Sequence, residues 1–142
     1  MDEMYSPKHL GQSKTEIKYD EPSVEILDTF PNRYPGRNYN IQFFTREFTS
    51  LCPVTGQPDF ATIEINYVPG ELCLESKSLK LYLFAYRQYQ AFVETITNKI
   101  LDDLVAVCEP SWMEVMADFT SRGGISINVR AAHNEGPEND DT

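Results

Sequence analysis

Hydrophobic and polar residues alternate along four stretches of the chain, and this pattern predicts four β-strands. The first pair of stretches covers residues 39–43 and 60–68, and the second pair covers 113–119 and 125–129. Because successive side chains of a strand point to opposite faces, each stretch predicts a strand with one apolar face. Segments with glycine or proline separate the members of each pair, so we expect two antiparallel hairpins.

Residues 76–108 lie between the two hairpins and contain neither glycine nor proline, which favours helix. Apolar side chains at positions 92, 96, 100, 104 and 108 share one helical face. One unbroken helix of this length is unusual in a small domain, so we expect two helices with a break near residues 88–90. The order ββααββ predicts an α+β fold, with an antiparallel four-stranded sheet and two helices packed on one face.

The 142-residue chain is long enough for one domain, which we assign to residues 21–130. Residues 1–20 are predicted to form a mobile arm, and residues 131–142 a disordered acidic tail. A four-stranded sheet has two exposed edges, and pairing them between copies protects them from aggregation. We therefore expect a ring-forming homo-oligomer whose sites lie between subunits.

Composition limits the binding partners and the cellular compartment that we expect for this protein. The formal net charge of −10 argues against direct nucleic-acid binding and against an anionic membrane surface. Three cysteines without a C-x-x-C pair predict reduced thiols in the cytoplasm. Cys73 and Cys108 have apolar neighbours, which is typical of packing residues. His9 and His133 lie in polar end segments, which argues against a Cys/His metal site in the core.

Cys52 and Asp59 lie on either side of the turn between the first two predicted strands. Asp59 begins the apolar face of the 60–68 strand, and burial there would favour the protonated carboxyl, which can donate a proton. A thiol close to such a carboxyl suits covalent chemistry on an electrophile. The alternative is a buried structural cysteine beside an aspartate that caps the turn. Spacing alone leaves both interpretations open.

Basic residues suggest an anionic ligand. Lys77, Lys80 and Arg87 fall on one stripe of the first predicted helix, at about 100° per residue. Such a stripe could bind nucleotide phosphates, although a solvated helix face is the alternative. Arg122 could add to an anion site, because the neighbouring Gly123 permits close backbone approach.

Residues 75–82, Glu-Ser-Lys-Ser-Leu-Lys-Leu-Tyr, closely resemble the signature of the 7-cyano-7-deazaguanine reductases. These are the nitrile reductases of queuosine biosynthesis, a tRNA modification, and the resemblance is to their short, single-module form. It runs from about residue 30 to 129 and includes segments 47–53 and 119–125. The resemblance implies the tunnelling fold, whose subunits join their sheets into rings, two of which stack into a decamer-like particle.

The resemblance also implies the chemistry and the residues that perform it. NADPH would be the hydride donor for a four-electron reduction of 7-cyano-7-deazaguanine to 7-aminomethyl-7-deazaguanine. Cys52 would attack the nitrile carbon to give a thioimide, and Asp59 would donate a proton to the nitrogen. The implied substrate contacts are Glu94, Glu75 and Ser76, and the implied cofactor contacts are Lys77, Ser78, Lys80, Arg87, Arg122 and Gly123.

The sequence next to Glu94 differs from the usual pattern of the family. A buried glutamate there could accept two N–H bonds from a purine-like ring edge, although an exposed helical glutamate is commoner. Val93 precedes it where many members have histidine, so Asp59 or water would have to serve in steps that use that histidine.

Two other functions remain open at this point. One is an amidinotransferase-like enzyme acting on the nitrile base in tRNA, although such relatives lack the NADPH signature. The other is a non-catalytic deazapurine-binding protein. A zinc cyclohydrolase on the same fold would need core histidines, which this chain lacks.

Overall fold

The computed structural model describes Lys8 and residues 20–134. After a short 3-10 helix at Val24–Ile26, these residues form β1 (Thr29–Pro31), β2 (Ile41–Leu51), β3 (Pro58–Val68), β4 (Leu72–Leu74), α1 (Ser76–Phe84), α2 (Val93–Cys108), β5 (Trp112–Arg122) and β6 (Ile125–His133). The main antiparallel sheet has the order β2-β3-β5-β6. The predicted α+β class, its two hairpins and its helix pair are confirmed.

Strand register determines which side chains meet at each end of the sheet. Strands β2 and β3 pair so that Ser50 lies opposite Asp59 and Ile41 lies opposite Tyr67. Strand β5 pairs with β3 on one side and β6 on the other. A register shift between Phe119 and Arg122 marks a bulge near the end of β5. Bulges bend a strand and increase its twist, so this one changes the direction in which β5 ends.

The core lies between the sheet and the helices. Strand β3 buries the side chains of Ala61, Ile63, Ile65 and Tyr67, as the alternation predicts. Helix α2 buries Ile96, Ile100, Leu104 and Cys108, four of the five positions expected on its apolar face. Fully burying one large aliphatic side chain contributes about 1.5–3 kcal/mol, so this shared layer holds the helices on the sheet.

The helical region divides where the sequence predicts. Helix α1 ends at Phe84, a turn covers residues 85–88, and α2 begins at Val93. The expected break near residues 88–90 is therefore confirmed. The expectation that Arg87 lies on the first helix is wrong, because α1 ends three residues before it.

Two features of the fold differ from expectation. Strands β1 and β4 form a separate two-stranded sheet in which Phe30 lies opposite Cys73, and the alternation pattern did not reveal them. Strand β6 continues to His133, so residues 131–133 belong to the sheet and not to the tail. The predicted arm, apart from Lys8 and Asp20, and the tail from residue 135 onward lie outside the described residues.

Candidate active site

The turn that joins β2 to β3 carries Cys52 and is closed by backbone hydrogen bonds. The Cys52 N–H donates to the Gln57 carbonyl at 2.8 Å, and the Gly56 N–H donates to the Cys52 carbonyl at 2.9 Å. Gly56 has φ +74°, a left-handed conformation that favours glycine. The turn therefore fixes the backbone of Cys52 while its side chain remains partly exposed.

Thr55 favours the thiolate form of Cys52. Hydrogen bonds lower the pKa of the Cys52 thiol. The Thr55 hydroxyl has the largest effect, and the backbone N–H groups of Thr55 and Val54 add to it. The charge of the nearby Asp59 opposes this effect. The same hydroxyl oxygen accepts a bond from the Gln57 N–H at 3.2 Å, which orients the threonine within the turn. The residue pattern does not reveal Thr55, because its role depends on the folded shape of the turn.

Asp59 lies at the end of the apolar face of β3, as expected, but its surroundings are not purely apolar. Its side chain is 13% exposed, and its Oδ1 is 2.8 Å from the Nε of Arg122. The purely apolar setting expected for this carboxyl is therefore wrong, because a guanidinium lies directly against it. Opposite Asp59, Ser50 is fully buried, and its hydroxyl has no hydrogen-bond partner among the described residues.

Arg122 contacts the end of the Cys52 turn and the start of β3 with all three of its guanidinium nitrogens. Besides the ion pair with Asp59, Nη1 donates to the Gln57 side-chain oxygen at 2.8 Å and Nη2 donates to the Pro58 carbonyl at 2.6 Å. Gly123 has φ +59°, and a Cβ added to it would meet no atom within 4 Å. The positive φ in the β5–β6 turn, and not a lack of space, therefore explains why this position is a glycine.

The end of β2 is hydrogen-bonded to the segment that precedes α2. The Leu51 N–H donates to the Tyr89 carbonyl at 3.0 Å, and the Ala91 N–H donates to the Leu51 carbonyl at 3.2 Å. Glu94 follows in the first turn of α2, where its side chain is exposed in this single chain. The structure thus connects the Cys52 turn to the start of the helix that carries Glu94, but it does not bury Glu94.

Glu75 and Ser78 serve the start of α1. The buried Glu75 carboxylate accepts the Ser78 N–H at 2.8 Å and the Lys77 N–H at 2.9 Å, which caps the helix. The buried Ser78 hydroxyl donates to the Glu75 carbonyl at 2.8 Å and accepts the Asp28 N–H at 2.9 Å. Ser78 is thus engaged inside the protein, whereas Ser76 is exposed.

A groove of about 330 Å³ separates α1 from the edge strand β2. Lys80 and Arg87 both lie over the ring of Phe84 in its wall, with the Lys80 nitrogen 5.7 Å and the Arg87 guanidinium carbon 5.5 Å from the ring centre. The aromatic ring therefore keeps the two cations together although Arg87 has left the helix. Lys77 is half-buried and does not line this groove.

The other two cysteines lie in the interior. Burial raises the pKa of Cys108 to about 12, and Cys73 lies 3.8 Å from the hydroxyl of Tyr39. Neither has the partly exposed setting of Cys52. Across Lys8 and residues 20–134, no group of three His, Cys, Asp or Glu side chains could hold a metal ion. Over the same range, no helix is both long and apolar enough to cross a membrane.

Comparison with known proteins identifies the family of this chain. A family model described as QueF-like protein matches residues 58–138. The NADPH-dependent 7-cyano-7-deazaguanine reductase of Nitratidesulfovibrio vulgaris is 53% identical over 122 residues, which cover 86% of this chain and 73% of the relative. The chain belongs to the 7-cyano-7-deazaguanine reductase family. The reductase of the same name from Anaeromyxobacter sp. strain K is 56% identical over 117 residues, covering 82% of this chain and 95% of that protein.

A solved structure supports the same fold at greater evolutionary distance. The archaeosine synthase QueF-Like in its apo form matches with a TM-score of 0.64 and 21% identity, covering 69% of this chain and 96% of that chain. At this identity the likeness concerns the fold alone. The curated relatives and the family model confirm the reductase family that residues 75–82 and the Cys52 turn indicate.

Proposed function

We propose that this chain is an NADPH-dependent reductase that converts the nitrile 7-cyano-7-deazaguanine into 7-aminomethyl-7-deazaguanine for queuosine biosynthesis. Two relatives more than 50% identical over most of the chain are named as NADPH-dependent reductases of this compound. The single structural observation that carries the proposal is the Cys52 turn, where hydrogen bonds lower the pKa of a partly exposed thiol close to Asp59.

Cys52 is the nucleophile in this proposal. Its sulfur attacks the nitrile carbon and forms a thioimide, while Asp59 transfers a proton to the nitrile nitrogen. The lowered pKa of Cys52 means that its thiol gives up a proton more readily as the sulfur attacks. Covalent capture is useful because a thioimide accepts hydride more readily than a nitrile does.

Substrate recognition is proposed for the starts of the two helices. Glu94, exposed in the first turn of α2, would accept N–H bonds from the edge of the deazaguanine ring. Ser76, exposed in the first turn of α1, is a second proposed contact. Glu75 would act here chiefly through the helix cap, because both of its carboxylate oxygens accept backbone N–H groups.

The groove beside α1 is the proposed cofactor site. NADPH, when bound, supplies the hydride for each two-electron reduction. Lys80 and Arg87 offer two cations above one aromatic ring, which suits a ligand with both phosphates and planar rings. Lys77, Arg122 and Gly123 are further proposed contacts, and Ser78 shapes the helix start from inside the protein.

Assembly into a ring is proposed from the two outer edges of the four-stranded sheet. Strands β2 and β6 are its outermost strands, and exposed edges favour pairing with another copy. Such pairing would produce the tunnelling-fold ring and put sites between subunits, with two rings stacking into a decamer-like particle. A cytoplasmic location, expected from three unpaired cysteines, stays a prediction.

Intact-protein mass spectrometry tests the nucleophile and the substrate together. After mixing with 7-cyano-7-deazaguanine, the native protein should gain the mass of one nitrile molecule, and Cys52→Ala should gain none. Addition of NADPH should then remove the adduct and oxidise the cofactor. Adduct formation without NADPH oxidation would contradict the reductase and favour a capture or transferase reaction. Binding without an adduct would indicate a non-catalytic deazapurine-binding protein.

A further inference from the structure

The ion pair between Arg122 and Asp59 assigns a role to an arginine that the family resemblance implies only as a cofactor contact. Asp59 Oδ1 and Arg122 Nε are 2.8 Å apart, and the Asp59 side chain is largely buried. The same guanidinium donates to the side chain of Gln57 and to the carbonyl of Pro58. Arg122 therefore contacts three consecutive residues of the segment that leads from the Cys52 turn into β3.

The fold brings Arg122 to this place through the geometry of the second hairpin. The last paired position between β3 and β5 is Ala61 opposite Phe119, and β5 continues three residues further, to Arg122. The bulge between Phe119 and Arg122 redirects this extension. Gly123 and Gly124, at φ +59° and +84°, then turn the chain into β6. Two consecutive positive φ values are typical of the tight turns of hairpins.

We propose that Arg122 is the positioning residue that holds the Asp59 carboxylate beside the Cys52 turn for proton transfer. This inference rests on the proposed function. A planar guanidinium with several fixed donors suits this task, because it can hold a carboxylate while anchored on two neighbouring acceptors. Lysine, with a single charged nitrogen on a flexible chain, cannot reproduce all three contacts.

The carboxylate form of Asp59 determines the path of the proton. Asp59 accepts the proton of the Cys52 thiol, and the sulfur forms a bond to the nitrile carbon. One electron pair of the carbon–nitrogen triple bond moves to the nitrogen, which takes the proton back from Asp59. The thiol proton thus ends on the thioimide nitrogen, and Asp59 returns to the carboxylate that Arg122 holds. No other proton source and no oxidant is needed for this step.

Formation of the adduct without NADPH separates this role from a cofactor role. We expect Arg122→Gln to form the Cys52 adduct about 10- to 100-fold more slowly than the native protein, a part of the full effect of acid–base catalysis. Arg122→Lys should fall between the two. Arg130→Gln is the matched control, because Arg130 also pairs with a carboxylate of a neighbouring strand, Glu114 of β5 at 3.0 Å, but far from the Cys52 turn in sequence and register. It should form the adduct at the native rate.

A second measurement needs no substrate. Because the Asp59 charge raises the pKa of Cys52, loss of its arginine partner should raise that pKa further and shift alkylation of Cys52 by iodoacetamide to higher pH. The Arg122 side chain is 41% exposed, so Arg122→Gln should remain folded. Thermal unfolding of the variant checks this.

The outcomes are distinct. A native rate of adduct formation in Arg122→Gln, with a raised KM for NADPH, would overturn the positioning role and leave only a cofactor contact. Unchanged alkylation in the same variant would also overturn it. If the native protein forms no adduct, the proposed function fails, and the alkylation profile still tests the contact between Arg122 and Asp59.

Discussion

Removal of the Glu75 carboxylate should destabilise the protein by disrupting the start of α1. The carboxylate oxygens accept the N–H groups of Ser78 and Lys77, two of the four donors that a helix leaves without internal partners. Glu75 is 6% exposed and Ser78 is fully buried, so water cannot replace the acceptor at Ser78. The unmet donors should therefore cost the fold more than an exposed cap would.

The magnitude follows from these two bonds. Replacement of a helix-capping side chain by alanine costs about 0.5–2 kcal/mol, and a buried donor left without a partner costs about 1–3 kcal/mol. We expect Glu75→Ala to lower the free energy of unfolding by about 2 kcal/mol. Glu75→Gln keeps one acceptor oxygen, so its loss should be about 1 kcal/mol.

Urea unfolding followed by fluorescence of Trp112, the single tryptophan, measures both variants. All proteins should be compared at one concentration, since assembly adds to apparent stability. Glu71→Ala is the control, because Glu71 is exposed just before β4 and its loss should change stability by less than about 0.5 kcal/mol. Equal stability of Glu75→Ala and Glu71→Ala would refute the capping argument.

Three further predictions concern the turn, the second hairpin and the core. Thr55→Val should raise the pKa of Cys52 and slow its alkylation at neutral pH, whereas Thr55→Ser should react as the native protein does; equal pH profiles would contradict this. Gly124→Ala should cost about 1 kcal/mol in urea unfolding because its φ is +84°, whereas Gly36→Ala, in open space without a positive φ, should cost less. Burial raises the pKa of Tyr82 above 10.0, so the folded state keeps a proton that the unfolded state loses, and stability should fall as pH rises above about 10. The fall should be less steep in Tyr82→Phe, by about 1.4 kcal/mol per pH unit, and an unchanged slope would contradict the burial argument.

The sequence could predict the features that depend on local periodicity. The alternation around residues 60–68 and the helical spacing from 92 to 108 gave the correct strand and helix, because each side chain repeats its environment every two or every three to four residues. Strands β1 and β4 have three residues each, which is too short for a period to be seen. Arg87 was assigned to the wrong element, since nothing in its neighbourhood marks the end of α1 at Phe84.

The site was only partly predictable for a related reason. Cys52 and Asp59 are seven residues apart across one turn, so their closeness follows from the hairpin. Arg122 contacts Gln57 across 65 residues of chain, and that contact depends on strand order, register and a bulge. The dependence of the Cys52 pKa on Thr55 likewise required the folded turn, because a sequence pattern does not give the direction of a hydroxyl.

Val93 bears on the role that we propose for Asp59. Val93 is 9% exposed and packs in the core at the start of α2, so it anchors the helix that carries Glu94 but cannot transfer protons. His133, the one histidine among the described residues, is level with Tyr67, since both pair with Met113. Tyr67 is eight residues along β3 from Asp59, which is about 25 Å at the rise of a strand. Among the described residues, Asp59 is thus the side chain that we propose for proton transfer at Cys52, and Arg122 is proposed to hold it in place.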